Sequence, residues 1–393
     1  MTNTFRWAFS LLLLLSLASC IKDEPLNAEC DITAVSADWL DAHRDMLIGQ
    51  PILTNDHVTF NIQKGADRSQ LDPRFELTEG ARITCTLHGE EVEANGILRN
   101  FSTPQTYTVH SQDGHWHKPY TVAFDFPHTL DTLRFEHYEL ESTGRYYVWY
   151  EYDPTDVTNA KRYCWASGNA GFALTGMGKE PLLFPTAPSA DGVKGACVQL
   201  VTRSTGSFGL AVGKPIAAGN LFIGTFSPMN AVRDPLRATQ FGLQLVSGRP
   251  KALEGYYRYT PGEVFTDVKG QVCPDRRDKA SVYAVVYEVD PDHFEALDGS
   301  NVTSSERVVM MARLEDPGEP AEWTHFSVPF RLVEGKEFSE ERLRRDGYAI
   351  AIVASSSRQG HYFEGAVGST LYIDELRITW SGEEEPTPAL PQN

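Results

Sequence analysis

Positive charge is scarce in this chain: 393 residues carry 35 Lys and Arg against 53 Asp and Glu, a formal charge of −18. Proteins that hold nucleic acid do so largely by neutralising phosphates and releasing counterions, which needs a basic face, so nucleic acid is excluded as a partner. Cysteine is sparse as well, six in all, with no CxxC and no Cys/His spacing of a zinc site. Neither an HExxH run nor a Gly-x-Ser-x-Gly elbow occurs, which removes the common signatures of metallopeptidases and serine hydrolases. Long apolar stretches are missing too; the longest, around residues 11–15, is too short to span a bilayer. What is there is 41% hydrophobic and 11% aromatic residues, enough for a folded protein of about two or three domains.

The first residues read as an export signal: Arg6, a leucine run, then the small residues Ala18 and Ser19 before Cys20. Leu17-Ala18-Ser19-Cys20 resembles a bacterial lipobox, which implies removal of residues 1–19 and acylation of Cys20. Lys22-Asp23-Glu24 resembles the export signal that carries Bacteroidetes lipoproteins to the outer face of the outer membrane. Cleavage takes only Arg6 from the charge count, leaving 34 of the 35 basic groups against 53 acids, a net of −19. The expectation is a protein anchored to the outer membrane by lipid, facing outside the cell. With Cys20 acylated, five cysteines remain, so at least one thiol is free; a Cys30–Cys85 bridge and two free thiols in its place are both left open. The others read as small buried hydrophobes.

Residues 20–29 form a polar tether. From 30 to 127 the pattern is all-β: 58–62, 81–87, 105–109 and 120–124 alternate apolar and polar side chains, and Gln112-Asp113-Gly114 turns one strand into the next. Short strands at this spacing over about a hundred residues predict an immunoglobulin-like sandwich. After a Pro127-His128-Thr129 hinge, residues 132–380 give further strands at 145–151, 196–201, 281–287, 348–353 and 370–378, with one short helix at 339–345. A β unit of this size with Gly-rich loops, such as 168–171, predicts a β-jelly-roll of the carbohydrate-binding-module kind. Residues 381–393, rich in Glu and Pro, read as a disordered tail.

Several stretches carry a family resemblance. Residues 103–109 with 111–114 resemble the closing strands of the β-sandwich that precedes a jelly roll in Bacteroidetes lipoproteins. Phe135-Glu136, Trp165-Ala166-Ser167-Gly168-Asn169, the run 217–224, Gly255-Tyr256-Tyr257-Arg258-Tyr259 and 368–375 resemble the landmarks of that jelly roll, the putative carbohydrate metabolism domain. The resemblance covers nearly all of the mature chain and implies glycan binding or processing at the cell surface, without catalytic residues to carry over. Arg258 stands where the family more often has lysine, which keeps the charge and changes the hydrogen-bond geometry.

Sugar sites stack apolar sugar faces on aromatic rings and hold hydroxyls with Asn, Arg and similar groups. Trp165, Asn169, Tyr256, Arg258 and Tyr362 combine these types beside Gly-rich turns and are the candidate glycan ligands, although alternation sends one set of Tyr256–Tyr259 into the core and Trp165 and Phe222 also fit a packed role. A glycosidase needs paired carboxylates; Asp267, Glu295, Glu364, Asp374 and Glu375 are candidates, but 53 acids always offer a pair. Ser355-Ser356-Ser357 and Thr205-Gly206-Ser207-Phe208-Gly209 lack the context of a nucleophile, and His115 with His117 reads as a hairpin flank. No cofactor is required. A structural calcium held by Glu136 and Asp374 at the two ends of the jelly roll is an expectation drawn from the arrangement of such modules. The sequence reading is thus a surface lipoprotein that binds polysaccharide or glycan. Its alternatives are a glycoside hydrolase or lyase using jelly-roll carboxylates and an adhesin or assembly lipoprotein, with surface glycan-uptake or adhesion proteins as partners.

Overall fold

The computed structural model describes residues 26–382 apart from 49, 54–55, 64–65, 126–129, 142, 153–160, 228–230, 232 and 292. The export segment with Cys20, the 127–129 hinge and residues 383–393 of the tail therefore lie outside the described residues.

The N-terminal alternation builds a six-stranded sheet in the order Ile52–Leu53, His57–Asn61, His117–Asp125, Gln105–His110, Arg82–Leu87 and Glu90–Glu93. His57–Asn61 runs parallel to His117–Asp125, and the other neighbours are antiparallel. A second, two-stranded layer, Ile32–Val35 with Phe75–Leu77, covers one face. Every second side chain, including Val58, Phe60, Tyr107, Val109, Tyr120, Val122 and Phe124, turns into the core between them. Phe60 and Phe124 stack with centroids 4.3 Å apart. The 111–116 turn closes the hairpin as expected: Ser111 N donates to Trp116 O, and Gly114 takes φ +70°. His115 and His117 flank this hairpin, with Trp116 exposed between them. The unit is the immunoglobulin-like sandwich.

The rest of the chain is a jelly roll of two facing sheets. One has nine strands, with Leu297–Asp298, Thr239–Phe241, Asn220–Phe226, Tyr348–Ser355, Ser281–Glu288, Val308–Arg313 and Arg331–Leu332 in sequence across it; Trp165–Ala166 and Gln244–Leu245 pair alongside. The other has six, with Thr186–Ser189, Cys197–Val201, Thr370–Trp380, Pro250–Thr260 and Thr324–Pro329 side by side, and Thr132–Leu133 paired with Thr370–Trp380. Leu221, Ile223, Val282, Val286, Ile350 and Ile352 from the first sheet meet Val198, Leu200, Leu253, Tyr259, Leu371, Ile373 and Ile378 from the second.

The helix expected at 339–345 is Glu340–Leu343, started by Ser339, whose Oγ accepts from Arg342 N at 3.2 Å. Two further short helices, Asn169–Ala173 and Gly206–Ala211, replace expected loop; the first is pinned by buried Phe172, a tertiary contact that outweighs its glycine. Cys30 and Cys85 are free thiols, which closes the bridge left open by the sequence, and Cys164, Cys197 and Cys273 are free as well.

Gly224 is one position where glycine is required. It sits mid-strand at φ +149°, and a Cβ there would lie 1.9 Å from Gln240 O of the neighbouring strand. We expect Gly224→Ala to destabilise the protein by about 3 kcal/mol or more, read as a lowered Tm; an unchanged Tm would contradict the close strand approach.

Candidate functional site

Alternation on the nine-stranded sheet also fixes what faces away from the core. In Asn220–Phe226, Leu221 and Ile223 point inward, so Asn220 and Phe222 point outward; the same rule turns Ser281 and Tyr283, and Val353 and Ser355, outward. Register then aligns these side chains into rows. Phe222 pairs with Val353, Val353 with Tyr283, and Tyr283 with Arg313, so one row runs across four adjacent strands. A second row joins Asn220, Ser355 and Ser281.

These rows are the floor of a cleft of about 380 Å³, within the range of small-ligand sites. The two short helices form walls through Phe172 and Phe208, the 235–239 segment adds Leu236 and Thr239, and the 357–363 turn adds His361 and Phe363. Phe208 is 49% exposed, so this ring is presented at the rim. Phe363 adopts φ +59°, a conformation uncommon for a bulky side chain, and Lys214 Nζ lies 5.6 Å from its ring centroid. Asn220 is spent on structure: its Oδ1 accepts from Gly168 N at 2.8 Å and its Nδ2 donates to Ala218 O at 3.1 Å.

A buried polar network braces the turn from behind. Asp278 is almost fully buried, and its Oδ2 accepts from Ser357 Oγ (2.6 Å), Ser369 Oγ (2.7 Å) and Ala366 N (2.8 Å) while Oδ1 accepts from Lys279 N (2.9 Å). Thr202 Oγ1 bonds both Ser356 Oγ and Ser357 Oγ. Burial pushes the Asp278 carboxyl above its ordinary range, with these donors opposing the shift. The serine run at 355–357 is thus structural, with Ser357 bonded directly to a carboxylate and no imidazole between them as a serine nucleophile needs.

None of the five glycan candidates read from the sequence lines the cleft. Trp165 is 7% exposed and packs with Phe135 in the core between the sheets. Asn169 is fully buried: its Nδ2 donates to Thr186 O at 2.7 Å and its Oδ1 accepts from Thr186 N at 3.1 Å. Tyr256 and Arg258 lie on the outer face of the other sheet, where Tyr256 packs on His325. Arg258 pairs with Asp191 at 2.5 Å, its guanidinium 4.1 Å from the Tyr372 ring and 5.1 Å from that of Trp323. Tyr362 is exposed and packs at a tilt against His361, so it borders the cleft without lining it. The cleft residues that sequence reasoning passed over, Phe208, Tyr283, Arg313 and Phe363, left faint signals: an apolar residue in a Gly/Ser-rich helix, and an aromatic sharing the Ser281 face of a strand.

The carboxylates put forward for hydrolysis are also elsewhere. Glu364 pairs with Arg276 at 2.8 Å, Asp267 caps a turn by accepting from Lys269 N and Gln271 N, Glu295 is solvent-exposed, and Glu375 lies 3.5 Å from Lys194. Among the described residues, no Asp or Glu lines the cleft.

Glu136 and Asp374 do meet, on the 192–196 loop. Asp374 Oδ2 accepts from Val193 N (2.6 Å) and Lys194 N (3.2 Å), Oδ1 accepts from Glu375 N (2.8 Å), and Glu136 Oε2 accepts from Ala196 N (3.0 Å). Calcium requires about six to eight converging oxygens. Both carboxylates hold the loop by accepting these N–H bonds, and the two side chains supply at most four of the oxygens such an ion needs. A different cluster, Asp56, His57 and Glu139, brings three ligand atoms within 4.8 Å of one another. Its members are already committed, His57 Nδ1 to Asp56 Oδ1 at 2.7 Å, and Glu139 to Lys161 Nζ at 2.5 Å and to the Tyr163 hydroxyl.

The family model described as putative carbohydrate metabolism domain matches residues 134–379, and the one described as SGBP, N-terminal matches residues 48–123. A crystal structure from Bacteroides thetaiotaomicron VPI-5482, described as a putative glycoside hydrolase, is 39% identical over 92% of this chain and 99% of its own, with a TM-score of 0.74. One from Bacteroides vulgatus ATCC 8482, described in the same words, is 40% identical over 64% of this chain and 99% of its own, with a TM-score of 0.57. No curated protein matches the chain. On a match that spans the whole jelly roll, the chain belongs to the putative carbohydrate metabolism domain family.

Proposed function

We propose that the protein is a lipid-anchored protein of the outer membrane, facing outside the cell, that binds polysaccharide or glycan in the jelly-roll cleft without cleaving it. The observation that carries this reading is the lining of the cleft, which among the described residues offers aromatic faces and hydroxyls but no carboxylate. Phe208, Tyr283 and Phe363 supply rings for sugar stacking, and Ser281, Thr239 and Thr303 supply hydroxyls. A glycosidase needs one carboxyl to protonate the leaving oxygen and a second about 5–9.5 Å away, both reaching into the cleft that holds the sugar. The relatives' description as putative glycoside hydrolases is the reason to keep hydrolysis as the competing reading.

The export signal and Cys20 supply the anchor in this reading, and the N-terminal sandwich lifts the cleft away from the bilayer. Surface glycan-uptake or adhesion proteins are the partners that such a placement fits. A glycan array probed with the full chain tests the binding reading: retention of one or more glycans, lost on Phe208→Ala with an unchanged Tm, is the expected result. Binding of no glycan, or binding indifferent to Phe208, would overturn it.

A further inference from the structure

We propose that the cleft selects anionic glycans, sugars that carry carboxylate or sulfate groups; this rests on the glycan-binding reading of the same cleft. Acids make up 53 of the 393 residues, about one in seven, yet among the described residues none is found in a lining of more than thirty. The charged side chains that do line it are Lys214, Arg313 and Arg358. A chain with a net charge of −18 thus turns this cleft into a locally positive site.

Arg313 is the centre of this inference. It ends the row Phe222, Val353, Tyr283, and its guanidinium lies over the Tyr283 ring at 5.3 Å. Its Nε is buried with no hydrogen-bond partner, and no carboxylate lies within ion-pair distance of it among the described residues. Several other arginines of the jelly roll are ion-paired, among them Arg258 with Asp191, Arg276 with Glu364, Arg277 with Glu319 and Arg342 with Glu288, while Arg203, whose Nε is likewise buried without a partner, is not part of the cleft lining. An arginine left unmatched beside an aromatic floor is arranged to receive a planar anion, because its fork meets a carboxylate or sulfate through paired N–H bonds.

The other cations flank it. Arg358 donates to Glu315 O at 2.7 Å, and Asp316, the acid within reach of its field, is paired with Lys279 at 3.1 Å. Burial holds the His361 imidazole below its ordinary pKa, so at neutral pH it offers a hydrogen bond in place of charge. Four strands at about 4.8 Å spacing make the row roughly 14 Å long, room for a short oligosaccharide stacked on Tyr283 with its acidic group at Arg313.

The test is an array of neutral, uronic-acid and sulfated glycans probed with the full chain, followed by titration of the best acidic ligand and its neutral counterpart. The acidic ligand should bind at least about tenfold more tightly at low salt, with the preference falling as salt rises. Arg313→Gln should collapse that ratio toward one, and Arg313→Lys should restore part of it. If Arg313→Gln fails to fold by its melting curve, Arg358→Gln should lower the ratio in the same direction. Uronic hits without sulfated ones identify the carboxylate as the recognised group, and the reverse identifies sulfate. Neutral glycans bound as tightly as acidic ones would overturn the charge inference and leave the glycan-binding reading standing; no glycan bound in any class would overturn both.

Discussion

Replacing Asp278 with alanine should cost about 3–5 kcal/mol of stability and abolish ligand binding together with it. The carboxylate satisfies four donors at once, two of them backbone N–H groups, in a place where water does not reach. Serine hydroxyls can turn elsewhere: Ser357 Oγ already touches Thr202 Oγ1 at 2.6 Å. Backbone N–H groups of Lys279 and Ala366 cannot, so their desolvation remains uncompensated. Asn is expected to rescue little, because its NH₂ would replace one of the two acceptor oxygens. The effect reaches the cleft because Ser357, a ligand of this network, is itself in the lining, followed by the Gly360–Tyr362 turn with His361 and then Phe363. Urea unfolding of Asp278→Ala and Asp278→Asn reads the cost directly. A loss below about 1 kcal/mol in both would show that the network does not brace the cleft.

Glu151 gives the second large effect, on the pH dependence of stability. It lies on the short strand Glu151–Tyr152, 5% exposed, and burial pushes its pKa from 4.5 up to about 7. Phe135 N donates to Oε1 at 3.4 Å, and Trp165 Nε1 faces the carboxylate without completing a hydrogen bond, so neither offsets the loss of water. Between pH 4.5 and 7 the folded chain keeps a proton that the unfolded chain releases. Stability from this group is therefore full below pH 4.5, falls as pH rises through about 7, and stays low above it. The difference amounts to roughly 3 kcal/mol. Glu151→Gln should remove it, stabilising the protein at pH 8 and leaving it unchanged at pH 4. Parallel stability profiles for the two proteins across this range would contradict the assignment.

The strands were legible in the sequence because their alternation is driven by burial on one face, a local signal. Residues 57–61, 105–110 and 370–380 are read almost to their ends in this way. The cleft was not legible, for a physical reason. On the nine-stranded sheet both faces are covered, one by the second sheet and the other by loops and short helices, so Phe222 and Tyr283 look like core residues in sequence. Their role depends on register across four strands, which no local pattern encodes. The reverse error has the same origin: Trp165 and Asn169 sit beside glycines that suggest an open loop, whereas tertiary packing puts Trp165 on a short strand and Asn169 at the start of a helix and buries both. Alternation separated Arg258 from Tyr257 and Tyr259 without saying which face is core, and the partners that fill the surroundings of Arg258 (Asp191, Trp323 and Tyr372) come from distant stretches of the chain.

Binding without cleavage is the claim at the centre of this account, and one measurement addresses it: titrate the full chain with an oligosaccharide retained on the glycan array, then recover the sugar after prolonged incubation and measure its chain length and reducing ends. Saturable binding that Phe208→Ala weakens, with the sugar recovered intact, is the predicted result. New reducing ends or unsaturated products that vanish when a carboxylate outside the cleft is replaced would contradict it and place the chain among the enzymes.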